Sequence, residues 1–333
     1  MSQNRKRILT GIRPTGPLHL GHYAGALENW LRLQEEYECF FLIADYQVSD
    51  YADDIDLVRK AVFEVALDWL AVGLDPERSH FHIESLIPEH AELTLWLSWY
   101  LPLARLQRNP TLKAEMESFE TKSVPVAFFS YPIMQVANIL MPKAHLVPVG
   151  EDQLPHIEMT REVARRFNRL FGEVFPVPEA LVGRVPRLVG LDGNAKMSKS
   201  LKNAIYLKDD AETVTKKVKR MFTDPTRIHA TDPGHVEGNP VFMYHDAFNP
   251  DEAEVQDLKE RYVKGTVGDV EVKEKLALAL NAFLDPIRER RAHYEARPKL
   301  VREALAAGTS HAKKVAEGTM ADVRAALRLN YLE

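Results

Sequence analysis

The stretch GIRPTGPLHLGHYAGALENW, residues 11–30, has the pattern of a corner between a strand and a helix. The preceding residues 7–10, RILT, are typical of a buried strand, and residues 20–37 have the pattern of a helix. The N-terminus of a helix has free N–H groups and a partial positive charge, so it binds phosphate well. His19 and His22 lie near that terminus and can point to one side, where both could donate to phosphate oxygens. The sequence therefore predicts a phosphate site at this corner.

Strands and helices alternate through the first half of the chain. Residues 39–44 and 145–149 are typical of buried strands, and residues 80–85 alternate as a half-buried strand does. Residues 58–72 place apolar side chains on one helix face, and the pattern ends at Gly73. This alternation predicts an α/β fold, with a Rossmann-like, mostly parallel sheet and helices on both of its faces. Ligands of such sheets bind at the carboxyl ends of the strands, where the opening corner lies.

Strand patterns fade after about residue 205, and helical patterns replace them. The sequence thus predicts two domains, a Rossmann-like catalytic domain over residues 1–200 and an all-helical domain over 201–333. The final helices of the helical domain can pack against the catalytic domain. Helical patterns cover residues 251–264, 270–296 and 310–328, and a loop rich in proline and glycine spans 223–240.

Composition narrows the class of protein. Because the net charge is −5, contacts with nucleic acid must use local basic patches. Residues 216–220 and 288–293 are candidates for phosphate contacts, and the alternative is that each is a solvated helix face. The single cysteine, Cys39, lies in an apolar run, so no disulfide or cysteine-based metal site forms within one chain, which suits the cytoplasm. Residues 123–142 carry no charge over the length of a bilayer span, but their prolines and amides favour a buried pocket wall. We expect a soluble protein without a membrane helix.

A second candidate for phosphate chemistry is the stretch GNAKMSKS, residues 193–200. Lys196 and Lys199 flank small and hydroxyl residues on a loop that begins with glycine. Two ammonium groups on such a loop could clamp a polyphosphate chain and later release the product. A zinc site at the two histidines of the corner is the metal alternative, but no third and fourth ligand are suitably spaced, so we predict no metal site.

The two stretches HLGH (residues 19–22) and KMSKS (residues 196–200) together resemble the signature motifs of class I aminoacyl-tRNA synthetases. Residues 9–27, 131–140 and 147–168 are similar to segments of bacterial-type tryptophanyl-tRNA synthetases, and the resemblance covers nearly the whole chain. It implies that L-tryptophan is activated with ATP and Mg²⁺ and transferred to tRNA(Trp), which would lie on the helical domain. It also implies a cytoplasmic homodimer.

The dimer interface implied by this resemblance is a helical insertion near residues 90–140. Within it, the apolar stretch at residues 93–101 is interpreted as core or as subunit interface.

The resemblance implies a role for each residue that matches a motif. The catalytic groups are His19, His22, Lys196 and Lys199. The residues implied in ATP binding are Arg13, Pro14, Thr15, Gly21, His22, Gly150, Glu151, Asp152, Leu188, Lys196, Met197, Ser198, Lys199 and Ser200. The residues implied in tryptophan binding are Leu9, Gly11, Tyr131, Gln135, Asn138, Val147, Val149 and Gln153, with Tyr131 and Gln153 at the α-ammonium group.

Three positions depart from the pattern of many bacterial relatives. Asn138 replaces an aspartate that accepts from the indole N–H, Gln135 replaces a methionine above the indole, and Gln47 replaces a common histidine. The amide of Asn138 can still accept one hydrogen bond, without the charge that strengthens it. The changes suggest a repacked pocket with altered affinity or inhibitor response. Some relatives hold an iron–sulfur cluster on C-terminal cysteines, and the corresponding stretches here contain no cysteine, so we expect no such cluster.

Three alternative functions remain open from the sequence. The chain could be a tyrosyl-specific or otherwise respecified synthetase, because tyrosyl-tRNA synthetases share the architecture. It could be a nucleotidyltransferase that uses His-x-Gly-His, although such enzymes need neither the helical half nor the stretch VGEDQ at residues 149–153. It could also be a non-catalytic paralogue that senses tryptophan or binds another protein, against which the intact lysine motif argues.

Overall fold

The fold is built on one sheet of five parallel strands. A computed structural model describes residues 5–116, 124–182, 188–193, 197, 201–227, 229 and 231–331. The strand order across the sheet is β3-β2-β1-β4-β5, so the direction of winding reverses between β1 and β4. This parallel arrangement confirms the predicted Rossmann-like sheet. The strands are β1 (Arg7–Ile12), β2 (Glu38–Ile43), β3 (Ser79–Ile83), β4 (Leu146–Val149) and β5 (Glu179–Val182).

The reversal between β1 and β4 creates a crevice at the carboxyl edge of the sheet, where ligands of open α/β sheets bind. β1 is followed by the turn that leads to the two histidines, and β4 is followed by Gly150 and a short 3₁₀ turn, Glu151–Gln153. The fold thus brings the ends of two sequence motifs, almost 140 residues apart, to the two sides of one crevice.

Helices cover the sheet and form the C-terminal part of the chain. The first helix is interrupted by a π-helical turn, Tyr23–Leu27. In the N-terminal part the helices are α1 (Leu20–His22), α2 (Glu28–Glu36), α3 (Ile55–Val72), α4 (Glu89–Ser98), α5 (Leu103–Gln107), α6 (Pro110–Met116), α7 (Val126–Leu140) and α8 (Leu154–Phe171). They continue as α9 (Ala211–Lys219), α10 (Pro240–Phe248), α11 (Glu252–Val263), α12 (Asp269–Glu295) and α13 (Pro298–Ala326).

Helix α3 illustrates why the sequence folds as it does. Asp54 caps its N-terminus by accepting a hydrogen bond from the backbone N–H of Leu57, and Gly73 ends it with φ of 105°, a conformation that favours glycine. Val65 and Trp69 on its apolar face are fully buried, and the Trp69 ring packs edge-on against Phe81 of β3 at 5.4 Å. The predicted helix and its end at Gly73 are confirmed.

The uncharged stretch at residues 123–142 contains the whole of helix α7, within which Pro132 lies. Its side chains Val136 and Ala137 are buried in the same hydrophobic cluster as Leu9 of β1. Among the described residues, we find no helix that combines the length and the apolar character needed to cross a membrane. The expected burial is confirmed for the part of the stretch from Phe128 onward, whereas Val126 at the start of the helix is exposed.

The last helix, α13, returns to the sheet and packs against β3. Gly308 is buried there, and the backbone N–H of Ile83 donates to Oγ1 of Thr309 over 3.3 Å. Further along the helix, Oγ1 of Thr319 donates to the carbonyl of Met141 over 2.8 Å. A methyl group added at Gly308 would lie 2.2 Å from the carbonyl oxygen of Phe81, so only glycine permits this close approach of helix and strand.

We expect Gly308→Ala to lower the free energy of unfolding by at least about 2 kcal/mol, because the added methyl group must push a backbone away. The matched control is Gly318→Ala on the same helix, where an added methyl group would meet no atom within 4 Å. That variant is expected to gain roughly 0.5–1 kcal/mol, since alanine favours a helix over glycine. Urea denaturation of both variants measures the difference. Equal stabilities would contradict the close packing of α13 on β3.

A polar cluster of Glu38, His80 and His311 also joins α13 to the sheet. Nε2 of His311 and of His80 lie 3.4 and 3.7 Å from Oε1 of Glu38. The contact with His80, together with the Arg7 guanidinium 2.9 Å from Oε2, lowers the pKa of Glu38 to about 2. The imidazole rings are stacked at 3.7 Å and within 13° of parallel, so one ion cannot lie in both ring planes. We therefore interpret this group as a clamp, although it is the one set of three described side chains close enough to share a metal ion.

Candidate active site

The two histidines of the opening corner lie at the start of α1. His19 is the N-cap residue, and its backbone N–H donates to Nδ1 of His22 over 3.1 Å. Because Nδ1 of His22 accepts this bond, the proton of the neutral ring is on Nε2. The two rings lie 3.8 Å apart, and His19 is buried whereas His22 is partly exposed. The corner therefore presents one oriented imidazole donor beside the N-terminus of a helix.

The segment that follows the lysine motif is hydrogen-bonded to this corner. The backbone N–H of Leu20 donates to the carbonyl of Ile205, and that of Leu207 donates to the carbonyl of Leu18, both over 2.9 Å. Met197, inside the lysine motif, is 4% exposed, and a methyl group added at Gly21 would lie 2.8 Å from its Cε. The two motifs thus meet in the folded chain. The other predicted residues of the lysine motif, Lys196, Ser198, Lys199 and Ser200, lie outside the described residues.

The other residues predicted for ATP lie mostly in the turns that follow β1 and β4. Arg13 forms an ion pair with Asp50, and the backbone N–H of Thr15 donates to the carbonyl of Arg13 over 2.9 Å, which forms a tight turn after β1. Across the crevice, Glu151 and Asp152 follow β4 with exposed side chains. The remaining positions are Pro14, which lies within the turn, Gly150, where a methyl group would lie 2.7 Å from Asp152, and Leu188, whose side chain is buried in the core.

The apolar residues predicted for tryptophan belong to one cluster. Leu9 and Val147 are 3% exposed, and Tyr131 and Val149 pack against the same cluster. Gly11 contacts the neighbouring strand rather than this cluster. A methyl group added at Gly11 would lie 2.5 Å from the carbonyl oxygen of Leu42 on β2. Its glycine is therefore required by the packing of β1 on β2. Gln135, on α7, is half-buried.

Tyr131 takes part in a polar network that the sequence did not indicate. Its hydroxyl donates to Oε2 of Glu115 over 2.7 Å and lies 3.3 Å from Nε2 of His156. Burial and the Glu115 carboxylate raise the pKa of Tyr131, and burial lowers the pKa of His156 to about 4, so both are neutral at pH 7. Gln153, predicted beside Tyr131, instead donates to Asp152 over 3.0 Å. The structure thus adds a carboxylate at Tyr131 and places Gln153 in another set of hydrogen bonds.

Asn138 belongs to a second polar group that sequence reasoning missed. The side chain is 1% exposed, and its Nδ2 donates to Oε1 of Glu84 over 2.6 Å. Gln47 donates to the same oxygen over 3.5 Å. Asn138 and Gln47, two of the three positions singled out in the sequence, therefore share one buried carboxylate. No signal in the sequence could have joined them, because Glu84 is adjacent to neither along the chain.

A buried ion network contacts the backbone directly before His19. The backbone N–H of Leu18 donates to Oδ2 of Asp68 over 2.7 Å, and Asp68 is fully buried in an ion pair with Arg291. Arg291 also contacts Glu64 over 2.7 Å. Residues 288–293, predicted as a phosphate contact or a solvated face, are therefore corrected for Arg291, which is 4% exposed. The neighbouring Arg288 and Arg290 likewise donate to backbone carbonyls of the protein, those of Asp209 and Ala71.

Comparison with known proteins agrees with this geometry. A family model described as tRNA synthetases class I (W and Y) matches residues 1–285. The chain belongs to this family. Among curated class I synthetases, it is 51% identical to the tryptophan–tRNA ligase of Treponema pallidum, over 97% of each chain. It is 48% identical to the tryptophan–tRNA ligase of Chlamydia caviae, over 98% of this chain and 96% of the relative.

A solved structure of a class I synthetase has the same architecture. It is the tryptophanyl-tRNA synthetase of Campylobacter jejuni, described as complexed with ADP and tryptophan. The TM-score is 0.85 with 33% sequence identity, and the alignment covers 96% of this chain and 99% of that one. The likeness therefore covers nearly the whole chain.

Proposed function

We propose that the chain is a tryptophan–tRNA ligase whose reactions take place at the crevice between β1 and β4. It activates L-tryptophan with ATP, which gives tryptophanyl-adenylate and pyrophosphate, and then transfers tryptophan to tRNA(Trp). The observation that carries this conclusion is the convergence of Met197 and its following segment on the corner of His19 and His22. Identities of 51% and 48% to tryptophan–tRNA ligases, along nearly the whole chain, support tryptophan as the amino acid.

The first step needs alignment more than proton transfer. The carboxylate oxygen of tryptophan attacks the α-phosphorus, and the bond from that phosphorus to the bridging oxygen of pyrophosphate breaks. The carboxylate is already ionised at neutral pH, so no general base is required. Negative charge moves to the pyrophosphate, where His19, His22, Lys196 and Lys199 stabilise it. Mg²⁺ enters with the triphosphate as its counterion, and we assign it no protein ligand.

The second step transfers the amino acid to tRNA. The hydroxyl of the 3′-terminal adenosine attacks the acyl carbon of the adenylate, and AMP leaves. For binding of tRNA we propose the exposed Lys219 and Arg220 at the end of α9, because Arg291 is buried in ion pairs. We also propose that the chain divides into a catalytic part, residues 1–200, and a helical part, residues 201–333, and that it acts in the cytoplasm.

Recognition of the amino acid uses both polar groups of the site. The carboxylate of Glu115 and the neutral hydroxyl of Tyr131 suit the α-ammonium group. Leu9 and Val147 form apolar walls for the indole, and Asn138 supplies an acceptor for its N–H. Tyrosine has no such N–H, and a buried acceptor left without a donor costs roughly 1–3 kcal/mol.

The deciding experiment measures ATP–pyrophosphate exchange with each amino acid in turn, followed by charging of purified tRNA(Trp). Strong exchange with tryptophan and formation of tryptophanyl-tRNA support the proposal. Exchange with tyrosine and none with tryptophan would identify a respecified synthetase. Binding of tryptophan without exchange would identify a non-catalytic paralogue, and nucleotide transfer to a phosphate ester would identify the third alternative.

We also propose that the ligase works as a homodimer through the region near residues 90–140. Large apolar side chains in and beside this region are more than half exposed, which is unusual for a surface that meets only water. Leu95 and Trp99 lie one helical turn apart on or next to α4, whereas Leu93 and Leu97 on its other side are buried. The exposed side chains are Leu86, Leu95, Trp99, Leu103 and Val126.

Trp99→Lys is therefore expected to convert the dimer to a monomer at micromolar concentration, because the charge would be buried without a partner. Sedimentation velocity measures the change. The matched control is Leu278→Lys on α12, where an equally exposed apolar side chain (72%, against 64% for Trp99) lies outside the proposed interface. A monomeric wild type, or a dimer that persists in Trp99→Lys, would contradict this interface.

A further inference from the structure

Glu84 is a fully buried carboxylate for which the proposed reaction has no use. It begins the short 3₁₀ turn Glu84–Leu86 after β3 and is 0% exposed. Its oxygens accept hydrogen bonds from Nδ2 of Asn138 at 2.6 Å, from Nε2 of Gln47 at 3.5 Å and from the backbone N–H of Tyr46 at 3.1 Å. Within the part of the chain that the structure describes, no lysine or arginine forms a hydrogen bond or ion pair with Glu84. The contacts of Glu84 are thus made with one backbone N–H and two amides.

The contact with Glu84 determines which way the Asn138 amide faces. An ionised carboxylate can only accept hydrogen bonds, so Asn138 must present its Nδ2 to Glu84 and its Oδ1 to the opposite side. Oδ1 is buried, and among the described residues the ring of His90 interacts with the Asn138 side chain without meeting the geometry of a hydrogen bond. A buried carbonyl in this situation is ready to accept from a ligand.

The surroundings of Asn138 are those of the proposed tryptophan site. It lies on α7, which packs against β1, and its neighbours Val136 and Ala137 belong to the cluster that contains Leu9 and Val147. The same helix carries Tyr131, whose hydroxyl we assign to the α-ammonium group. Asn138 is seven positions after Tyr131, so two turns of helix place both on one face.

We propose that Glu84 is a positioning residue for tryptophan, which fixes the Asn138 amide so that its Oδ1 accepts the indole N–H. The inference rests on the proposed function and adds to it a residue that touches no substrate. Replacement of the Glu84 carboxylate would remove the preference between the two orientations of the amide, and a turned amide would present its own donor to the indole N–H.

The described titratable groups near Glu84 include Tyr46, whose pKa is raised by burial and by the charges of Asp45 and Glu84. His82 and His90 lie close by with ring centroids 6.3 Å apart, and burial lowers their pKa to about 4 and about 3, so both are neutral at pH 7. Asp45, which accepts from Ser85, adds a second negative charge. Burial raises the pKa of Glu84 to about 7, against the opposing effect of the Asn138 hydrogen bond. Protonated Glu84 could donate to Asn138, so the orientation of the amide is enforced above pH 7.

The test exchanges the two functional groups. Asn138→Asp alone places two carboxylates where wild type has an N–H···O hydrogen bond of 2.6 Å. Glu84→Gln alone places an amide N–H donor opposite the N–H donor of Tyr46. In the double variant, the new amide at position 84 donates to the new carboxylate at position 138 and accepts from Tyr46. We expect each single variant to raise the KM for tryptophan about 10-fold or more at pH 8, with kcat within about 3-fold. The double variant should return to within about 3-fold of wild type.

A second readout separates positioning from stability. The analogue β-(3-benzothienyl)alanine carries sulfur in place of the indole N–H, so its KM should be nearly equal in wild type and Glu84→Gln. The KM of wild type for tryptophan should rise as the pH falls from 8 to 6, because Glu84 gains a proton, and Glu84→Gln should lack this dependence. Thermal unfolding of each variant verifies that it is folded.

Two results would overturn the inference. One is a double variant no better than the product of the two single effects, and the other is equal losses for tryptophan and the sulfur analogue. Either would mean that Glu84 supports only the fold and that Oδ1 of Asn138 accepts from the His90 ring. If wild type itself fails to exchange pyrophosphate with tryptophan, the proposed function fails instead.

Discussion

Replacing His22 with alanine is expected to slow tryptophan-dependent ATP–pyrophosphate exchange by roughly 10²–10³-fold, while tryptophan binding changes less than about 2-fold. The hydrogen bond from the His19 N–H to Nδ1 places the His22 proton on Nε2 and orients the ring at the start of α1. An oriented donor of this kind stabilises charge that develops only in the transition state. Its loss should therefore appear in kcat and leave the amino-acid site unchanged.

Lys196→Ala is expected to have an effect of the same size on exchange and the same small effect on tryptophan binding. Its neighbour Met197 is packed beside Gly21, so the two motifs belong to one site. If both side chains act on the same triphosphate, the double variant should lose less than the product of the single losses.

Single-turnover formation of the adenylate, with tryptophan affinity measured separately by fluorescence, checks both variants. His293→Ala is the control, because it removes an exposed histidine of α12 far along the chain from the corner. Near-normal turnover in Lys196→Ala would mean that the lysine motif is not the clamp for phosphate. A loss confined to tryptophan affinity would contradict the assignment of His22.

The sheet could be predicted from the sequence because each buried strand is a short apolar run that ends in a turn. β1, β2 and β4 are all of this kind, and the helix of residues 55–72 was recognisable from its apolar face and its terminal Gly73. β5 was missed because its four residues, EALV, lie at a partly exposed edge and lack an apolar run. Helix α10 was missed because Pro240 was assigned to a loop, whereas Asn239 caps the helix and Pro240 begins it.

The site was predictable only where its chemistry is contiguous in sequence. The histidine corner and the turn after β4 are local motifs, and the fold sets them on the two sides of one crevice. Glu84 and Glu115 could not be predicted, because each meets its partner only through tertiary packing: Glu84 on β3's turn reaches α7, and Glu115 on α6 reaches Tyr131. Arg291 shows the opposite error, since this member of a basic run in the sequence proved to be buried in ion pairs with Glu64 and Asp68.

Arg291→Met is expected to lower the free energy of unfolding by about 3–5 kcal/mol, because it leaves the buried Asp68 carboxylate without its cation. Asp68 is 0% exposed and also accepts from the backbone N–H of Leu18, directly before His19. The loss should therefore extend to the histidine corner and lower exchange activity as well. Asp68→Asn combined with Arg291→Met removes both charges and should recover most of the stability.

The effect of Arg291→Met should depend on pH in a defined direction. Burial raises the pKa of Asp68 above that of an unfolded chain, and the Arg291 charge opposes this shift, so removing the arginine raises that pKa further. A carboxyl group whose pKa is raised by folding binds more protons in the folded state, so stability falls as the pH rises towards that pKa. The variant should therefore lose more stability at pH 8 than at pH 5.5, where Asp68 is largely protonated.

Urea denaturation at the two pH values measures this loss of stability. The neighbouring control is Arg290→Met, which removes one hydrogen bond to the carbonyl of Ala71. A loss in Arg291→Met no greater than in Arg290→Met at pH 8 would mean that the Asp68–Arg291 pair does not support the corner.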